Sequence, residues 1–454
     1  MLTILSRKRI SPPIWALGRR GLCRIGASPG ARAKPKTCWA FRQAVLRLPQ
    51  AAVFRPDRVQ DRHRAPRWSR QASQSVLARA ARSIPTPSRN SAQAALRILV
   101  ATLVAISLLA GRDVFAQAPQ RIDRSIEADA QKLITPETQA AIDRGLTYLA
   151  ARQAPRDGSF GSSASARRRV AITALAGMAF LSSGSTPGRG RYGTNVQRAV
   201  DFLLTRCQPN GFIYDEGNTG GHFGPMYDHG FATLFLAEVY GMARSPQVRT
   251  DLERAVQLIV NSQNKEGGWR YEPDSKDADL SVTVCEMMAL RAARNSGIYV
   301  PKQTIDRCTE YVRKCQVQDG GFRYQLTTSW QAVTFGLTAA GVVTLYSAGI
   351  YEGKALESGL QYLERYRPSA AVHQPANHYF YSHYYAAQAM WHAGGQRFEQ
   401  WYTDIREELV HGPFPFHNSG GGWRDPSSYG DDYGTAMALL ILQTPNNYLP
   451  IFQR

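Results

Sequence analysis

The sequence predicts an all-α protein: six pairs of helices closed into a ring, with six outer helices around six inner ones. Three observations predict it. A unit made of a polar residue, a Gly turn and an aromatic returns about every 53 residues. An amphipathic segment precedes each return, with apolar residues at three- and four-residue spacing. A more uniformly apolar segment follows each, as a helix buried on most sides requires.

The elements follow in chain order. "LAARQAPRDGSF" ends at Phe160, "LLTRCQPNGF" at Phe212, "LIVNSQNKEGGW" at Trp269, "YVRKCQVQDGGF" at Phe322 and "FPFHNSGGGW" at Trp423. The steps between these aromatics are 52, 57, 53 and 101 residues. The last step holds two repeats, so a degenerate sixth copy falls near residue 375. There "YLERYRPSAAVHQPANHYF" sets Tyr366 in place of the Gln and Tyr379-Phe380 in place of the aromatic. "QVRTDLERAVQLIVNSQ" (247–263) is an outer helix, and "SVTVCEMMALRAA" (281–293) an inner one. A Gly turn ends each outer helix, as an αL cap does. Thr135-Pro136 starts the first outer helix with an N-cap and a Pro at the first helical position. The ring spans residues 135–450, and closure leaves it no exposed terminal repeat.

Upstream the composition changes. The chain carries a formal charge of +20, but residues 1–97 hold 21 Lys and Arg against Asp57 and Asp61 alone. The remainder has 34 basic and 33 acidic residues, so the folded part is nearly neutral and has no electrostatic footprint for nucleic acid. Residues 98–118, "ILVATLVAISLLAGRDVFAQA", hold an apolar run of 13 residues after Arg97. That run is shorter than the roughly 20 residues a membrane span needs. With the small residues that follow, it reads as a signal peptide cleaved near Ala118. The expectation is an exported protein, periplasmic or secreted, with no transmembrane helix in the mature chain and a linker over 119–134. Residues 1–97 read as a basic, disordered leader. They are either untranslated, with the true start at a non-Met codon in the seventies to nineties, or an Arg-rich organelle-transit segment. Cys207, Cys285, Cys308 and Cys315 lie in the mature part. Cys308 and Cys315 share a helix face but are too far apart along the axis for a disulfide, so free thiols are expected. The absence of any C-x-x-C argues against a zinc knuckle.

Gln263–Gly267–Trp269, echoed by Gln316–Gly320–Phe322, resembles the QW repeat of squalene-hopene cyclases and protein prenyltransferase β-subunits. The resemblance implies an (α/α)6 toroid of the terpenoid cyclase and prenyltransferase kind. Squalene-hopene cyclases carry Asp-x-Asp-Asp-Thr-Ala before an inner helix, the central Asp being the proton donor. On that pattern Asp277-Ala278-Asp279-Leu280-Ser281-Val282 keeps two acids, with Asp279 in the donor slot and Asp277 before it. Leu280 replaces the last Asp, and the chain has one toroid where those cyclases have two. The zinc site of the prenyltransferases is not matched: Asp279-Leu280-Ser281 lacks the thiol, and the next repeat offers Trp330-Gln331. The reactive element of complement-type thioester proteins is also absent.

Setting the inner helices in phase on "TALAGMAFL", "ATLFLAEVY", "TVCEMMALR" and "TAMALLILQ" places Arg169, Asp228, Asp279 and Asp431 four residues before each start. Asp there caps a helix, worth about 1 kcal/mol. The same phase puts these residues at one mouth of the ring, with Asp432, His229, His383, Tyr384, Tyr433 and Trp330 nearby. Acids, His and aromatics at an apolar cavity are what a ligand site needs. A divalent cation on the carboxylates with His229 or His383 is a further option, without a tight ligand spacing to support it. The leading expectation is a ring that binds an apolar or isoprenoid-like molecule, or a protein segment. The alternatives are an enzyme, with Asp279 as the acid of a terpenoid cyclase or rim acids in a polysaccharide-active hydrolase or lyase, and a purely structural or partner-binding envelope protein. The sequence leaves the cofactor unknown.

Overall fold

The computed structural model describes residues 130–453, apart from 162–168, 216–223, 244, 328–331, 367–377, 413–416 and 426–428. The expected leader and signal peptide, most of the expected linker, and Trp330 lie outside the described residues. The ring lies within the unit Ala110–Arg454.

Twelve α-helices and no strands occur among the described residues. The outer helices are α1 (Pro136–Arg152), α3 (Gly193–Thr205), α5 (Pro246–Ser262), α7 (Lys302–Cys315), α9 (Lys354–Arg365) and α11 (Gly395–His411). The inner helices are α2 (Arg169–Leu181), α4 (Pro225–Val239), α6 (Leu280–Asn295), α8 (Phe335–Ser347), α10 (Tyr379–Ala393) and α12 (Asp431–Leu442). Outer helices bury one stripe: α7 buries Thr304, Ile305, Cys308, Tyr311, Val312 and Cys315 and exposes the rest to varying degrees. Inner helices are buried nearly all round, as α8 is from Gly336 to Ser347. Each inner helix packs against the next, and α12 packs back on α2, so the ring closes. Thr135 caps α1 as expected, accepting from the Thr138 N–H at 3.2 Å. None of the helices is long and apolar enough to cross a membrane. Cys207, Cys285, Cys308 and Cys315 form no disulfide.

The repeated motif is the mortar of the wall. The Gln263 amide donates to the Gly267 carbonyl in its own loop (2.8 Å) and to the Thr304 carbonyl on the next outer helix (2.9 Å). Gln316 does the same with Gly320 and Ala355, and Gln153 with Gly158 and Asn195. Gly267 has φ +100°, and a Cβ there would lie 2.4 Å from the Arg307 carbonyl oxygen of the next outer helix. Only Gly fits both the backbone conformation and the approach. The aromatic is then fixed from two sides. Trp269 is 1 % exposed, and its indole N–H donates to the Ile259 carbonyl at 2.8 Å. Its backbone N–H donates to the Thr283 hydroxyl of the inner helix at 3.1 Å.

That last bond defines a rung shared by the repeats. Phe160, Phe322 and Trp423 donate in the same way to Thr173, Thr338 and Thr435. In the second repeat the donor is Ile213 and the acceptor His229 Nδ1, at 3.2 Å. The motif aromatic expected at Phe212 is therefore displaced: Ile213 holds the slot, and Cys207 rather than Gln208 stands opposite it, as Gln316 stands opposite Phe322. Two further contacts join the first and last repeats. Asp432 accepts from Arg152 Nε (2.9 Å) and from the Gly161 N–H (3.1 Å).

The far end of the ring is covered by the segment after α12. Gln443 and Asn446 donate to carbonyls at the end of α2, Trp391 of α10 to Phe452 O, and Arg291 of α6 to Gln453 O. The Ile451 N–H donates to Glu238 of α4. Burial pushes the Glu238 carboxyl up to about 8.

Candidate functional site

The described parts of the loops from outer to inner helices lie at the end of the ring where inner helices begin, and this mouth carries the candidate site. Asp279 is the N-cap of α6, as the sequence suggests: its Oδ1 accepts from the Val282 N–H at 2.9 Å and the Ser281 hydroxyl at 2.6 Å. The Ser281 hydroxyl, already donating to Asp279, accepts in turn from the Tyr227 hydroxyl at 2.6 Å. Asp279 is fully buried, and its Oδ2 has no hydrogen-bond partner; Arg270 Nε stands 4.0 Å away. Burial is the dominant influence and pushes the carboxyl up to about 6, against the lowering effect of the Ser281 and Val282 bonds and of Arg270. Asp277 is different: half-exposed, it pairs with Arg270 and accepts from Gln325 Nε2 at 3.2 Å. It orients the arginine while Asp279 faces the interior.

Tyrosines surround this acid. The Tyr271 and Tyr324 hydroxyls meet at 2.6 Å, and the Tyr227 and Tyr271 rings lie 6.1 Å apart. Tyr381 stacks edge-on to Tyr385 at 4.8 Å, and the Cys285 thiol lies 3.0 Å from the Tyr385 hydroxyl. Tyr227, Tyr271, Tyr324, Tyr381 and Tyr429 are half-buried, whereas Tyr384 and Tyr385 are buried. Deeper in, Phe231 of α4 meets Tyr384 of α10 at 6.2 Å. These helices stand opposite each other in the ring, so an aromatic floor closes the funnel.

The structure corrects several expected members of the site. His229 and His383 occupy the rung that Thr173, Thr283, Thr338 and Thr435 hold in the other repeats, four residues past Pro225 and Tyr379. Both face the outer layer. His229 accepts at Nδ1 from Ile213, its Nε2 lies 3.2 Å from the Ala255 carbonyl, and burial pushes it down to about 3. His383 sits among Phe335, Tyr379 and Trp401. Asp228 is not in phase with Asp279: it lies inside α4, and its Oδ1 accepts from the Ala171 N–H at 3.0 Å, capping the neighbouring helix α2. Asp431 accepts from Asn418 Nδ2 at 3.0 Å, and Asp432 joins the ring ends. Tyr384 belongs to the floor. The three carboxylates once aligned as a cation site are thus engaged separately, and no group of three or more candidate metal ligands gathers among the described residues. Of the predicted acids, only Asp279 keeps a buried, unpartnered oxygen.

The tyrosine funnel itself was missed. Tyr271 and Tyr324 each lie two residues past the repeat aromatic, a regularity the spacing carried. A second missed regularity is Arg198, Arg254 and Arg307, one on each of α3, α5 and α7, each donating to a loop carbonyl of the preceding repeat.

Comparison with known proteins agrees with this architecture. No curated protein sequence matches the chain. Among solved structures, an inactive variant of an α-1,6-mannanase of Salegentibacter in complex with α-1,6-mannotriose is similar at TM-score 0.51 and 8 % identity, over 68 % of this chain and 99 % of that one. The cellobiose 2-epimerase of Spirochaeta thermophila is similar at TM-score 0.51 and 12 % identity, over 72 % and 99 %. A variant of a type II terpene cyclase of Scytonema in complex with its product, merosterolic acid A, gives TM-score 0.48 and 14 % identity, over 69 % and 98 %. At such identities the likeness to the mannanase and the epimerase shows the fold alone. Residues 139–365 match the prenyltransferase α/α toroid domain. The six-repeat ring and this match together make the chain a member of the prenyltransferase α/α toroid family.

Proposed function

We propose that the chain is an exported toroid protein that binds an apolar, isoprenoid-like molecule in the mouth of its ring. The observation that supports this reading is the half-buried tyrosine funnel over a closed aromatic floor. Aromatic walls supply large apolar area at low entropic cost, while their hydroxyls fix a ligand's orientation. Bringing the ligand to the mouth leaves the opposite end free to stay sealed.

A second reading has its own observation. Asp279 Oδ2 is buried without a partner at the same mouth, and the group holds its proton into the range about pH 6. A carboxyl in this state can act as a general acid. The departure from the cyclase pattern at Leu280 sets binding ahead of catalysis.

One experiment addresses both. The purified protein is incubated with geranylgeraniol or squalene, and native mass spectrometry and product analysis follow. Retention by the wild type, lost in a Tyr271→Ala/Tyr381→Ala double variant that still folds, supports binding. No retention of either compound would overturn it. A product formed by the wild type and absent with Asp279→Asn would set the acid reading first.

A further inference from the structure

Glu286 is an acid that neither the capping network nor the ring joints use. It lies on α6, two turns beyond Asp279, and is fully buried. Both carboxylate oxygens are without a hydrogen-bond partner. Burial alone drives its carboxyl well above the usual carboxylate range, which favours the protonated form. An unpaired polar group costs free energy wherever it is buried, so its presence in a closely packed wall calls for a use.

Its surroundings are built around it. Gly230 of α4 faces the carboxyl: a Cβ at that position would lie 3.1 Å from Glu286 Oε1 and 3.0 Å from Cys285 Cβ. The glycine sits inside a helix, where it is less favourable than alanine by about 1 kcal/mol. Its missing side chain makes the niche in the α4–α6 joint that the Glu286 carboxyl fills. Thr233, three residues on and on the same side of α4, is buried with its hydroxyl also unpartnered. The niche is level with the aromatic floor. Cys285 precedes Glu286 and reaches the Tyr385 hydroxyl, and Phe231 follows Gly230 and meets Tyr384.

We propose that Glu286 and Thr233 form a polar anchor at the bottom of the funnel, which receives one oxygen function of an otherwise apolar ligand. The neutral carboxyl donates to an alcohol or carbonyl oxygen, and the Thr233 hydroxyl provides a second contact. Phe231, Tyr384 and Tyr385 cover the niche and turn aside when the ligand enters. The substrate class of the site is then an oxygenated isoprenoid, not a pure hydrocarbon. This rests on the binding reading given above.

The test compares geranylgeraniol with the matched hydrocarbon that lacks the hydroxyl, by titration against the wild type, Glu286→Gln and Glu286→Leu. The wild type is expected to favour the alcohol by about tenfold, the effect of pairing a buried polar group with its partner. Glu286→Gln keeps a donor and keeps the preference. Glu286→Leu melts at a higher temperature than the wild type, because it removes an unpaired polar group, and binds both compounds alike. Equal binding of alcohol and hydrocarbon by the wild type overturns the anchor while leaving the binding reading intact, and this measurement needs no variant. A preference retained in Glu286→Leu overturns it equally. If the wild type binds neither compound, the binding reading itself fails and the anchor falls with it.

Discussion

Replacing Gly267 by Ala tests the joint between repeats, and Gly297 supplies its control. Both glycines lie in the left-handed region, at φ +100° and +87°. An L-residue in that conformation costs about 1–2 kcal/mol, offset by about 0.4–1 kcal/mol because alanine restricts the unfolded chain. For Gly297 the sum ends there, since a Cβ would meet no heavy atom within 4 Å. At Gly267 the Cβ would lie 2.4 Å from the Arg307 carbonyl oxygen and 2.9 Å from its carbon. Relief requires α7 to move by about an ångström relative to its neighbour, an overpacking cost of about 1–3 kcal/mol. Gly297→Ala is therefore expected to lose about 1 kcal/mol and Gly267→Ala about 2–4 kcal/mol. Urea unfolding followed by tryptophan fluorescence reads both. Equal losses in the two variants would show that the repeat glycine serves only its own turn, and that the close contact between repeats is not part of the joint.

Two more predictions concern the same region. Gln263→Ala removes donors to Gly267 O and Thr304 O, and a loss of about 1–3 kcal/mol in urea unfolding is expected; no loss would mean that these carbonyls find other donors. Asp279 gives a pH signature: its folded pKa is raised from 3.8 to about 6, so the stability it contributes is full below about pH 4 and lost as pH rises through 6. By linkage the wild type should lose about 3 kcal/mol relative to Asp279→Asn across that window, since Asn still caps α6 but does not titrate. Parallel pH profiles of the two proteins would refute a buried, proton-holding Asp279.

The ring was legible because its joints demand particular residues at particular places. A Gln that bridges two carbonyls, a glycine in a forbidden conformation and an aromatic held at both ends cannot drift, so the period survives in the sequence. The acids were less legible for the opposite reason. Asp228 and Asp279 look alike before an apolar run, yet the helix of Asp228 begins at Pro225, three residues upstream of it, and the carboxylate turns to a neighbouring helix. The register could have been read from the Thr rung at 173, 283, 338 and 435, with His229 and His383 as its substitutes. It would then have taken both histidines out of the site. The tyrosine funnel joins Tyr227 and Tyr381 on two inner helices to Tyr271, Tyr324 and Tyr429 on three loops, and no single repeat contains that meeting. The unpartnered state of Glu286 is likewise a property of what α4 leaves out.

The contact of Asp432 with Arg152 and Gly161 changes how this molecule can come apart. In a linear stack of repeats, unfolding starts at an end, where a unit is held by one neighbour only. Joining the last repeat to the first abolishes such ends, so the first unit to leave must break two interfaces at once. Ends would then be a matter of where the chain is cut and not of where the wall is weak. A permuted chain that links the natural termini and opens at an exposed loop such as the one at Gly349, between α8 and α9, would keep the same wall. Only a variant that lost the packing of α12 on α2 together with the Asp432 contact would convert the ring into an open array that frays from both sides of the break.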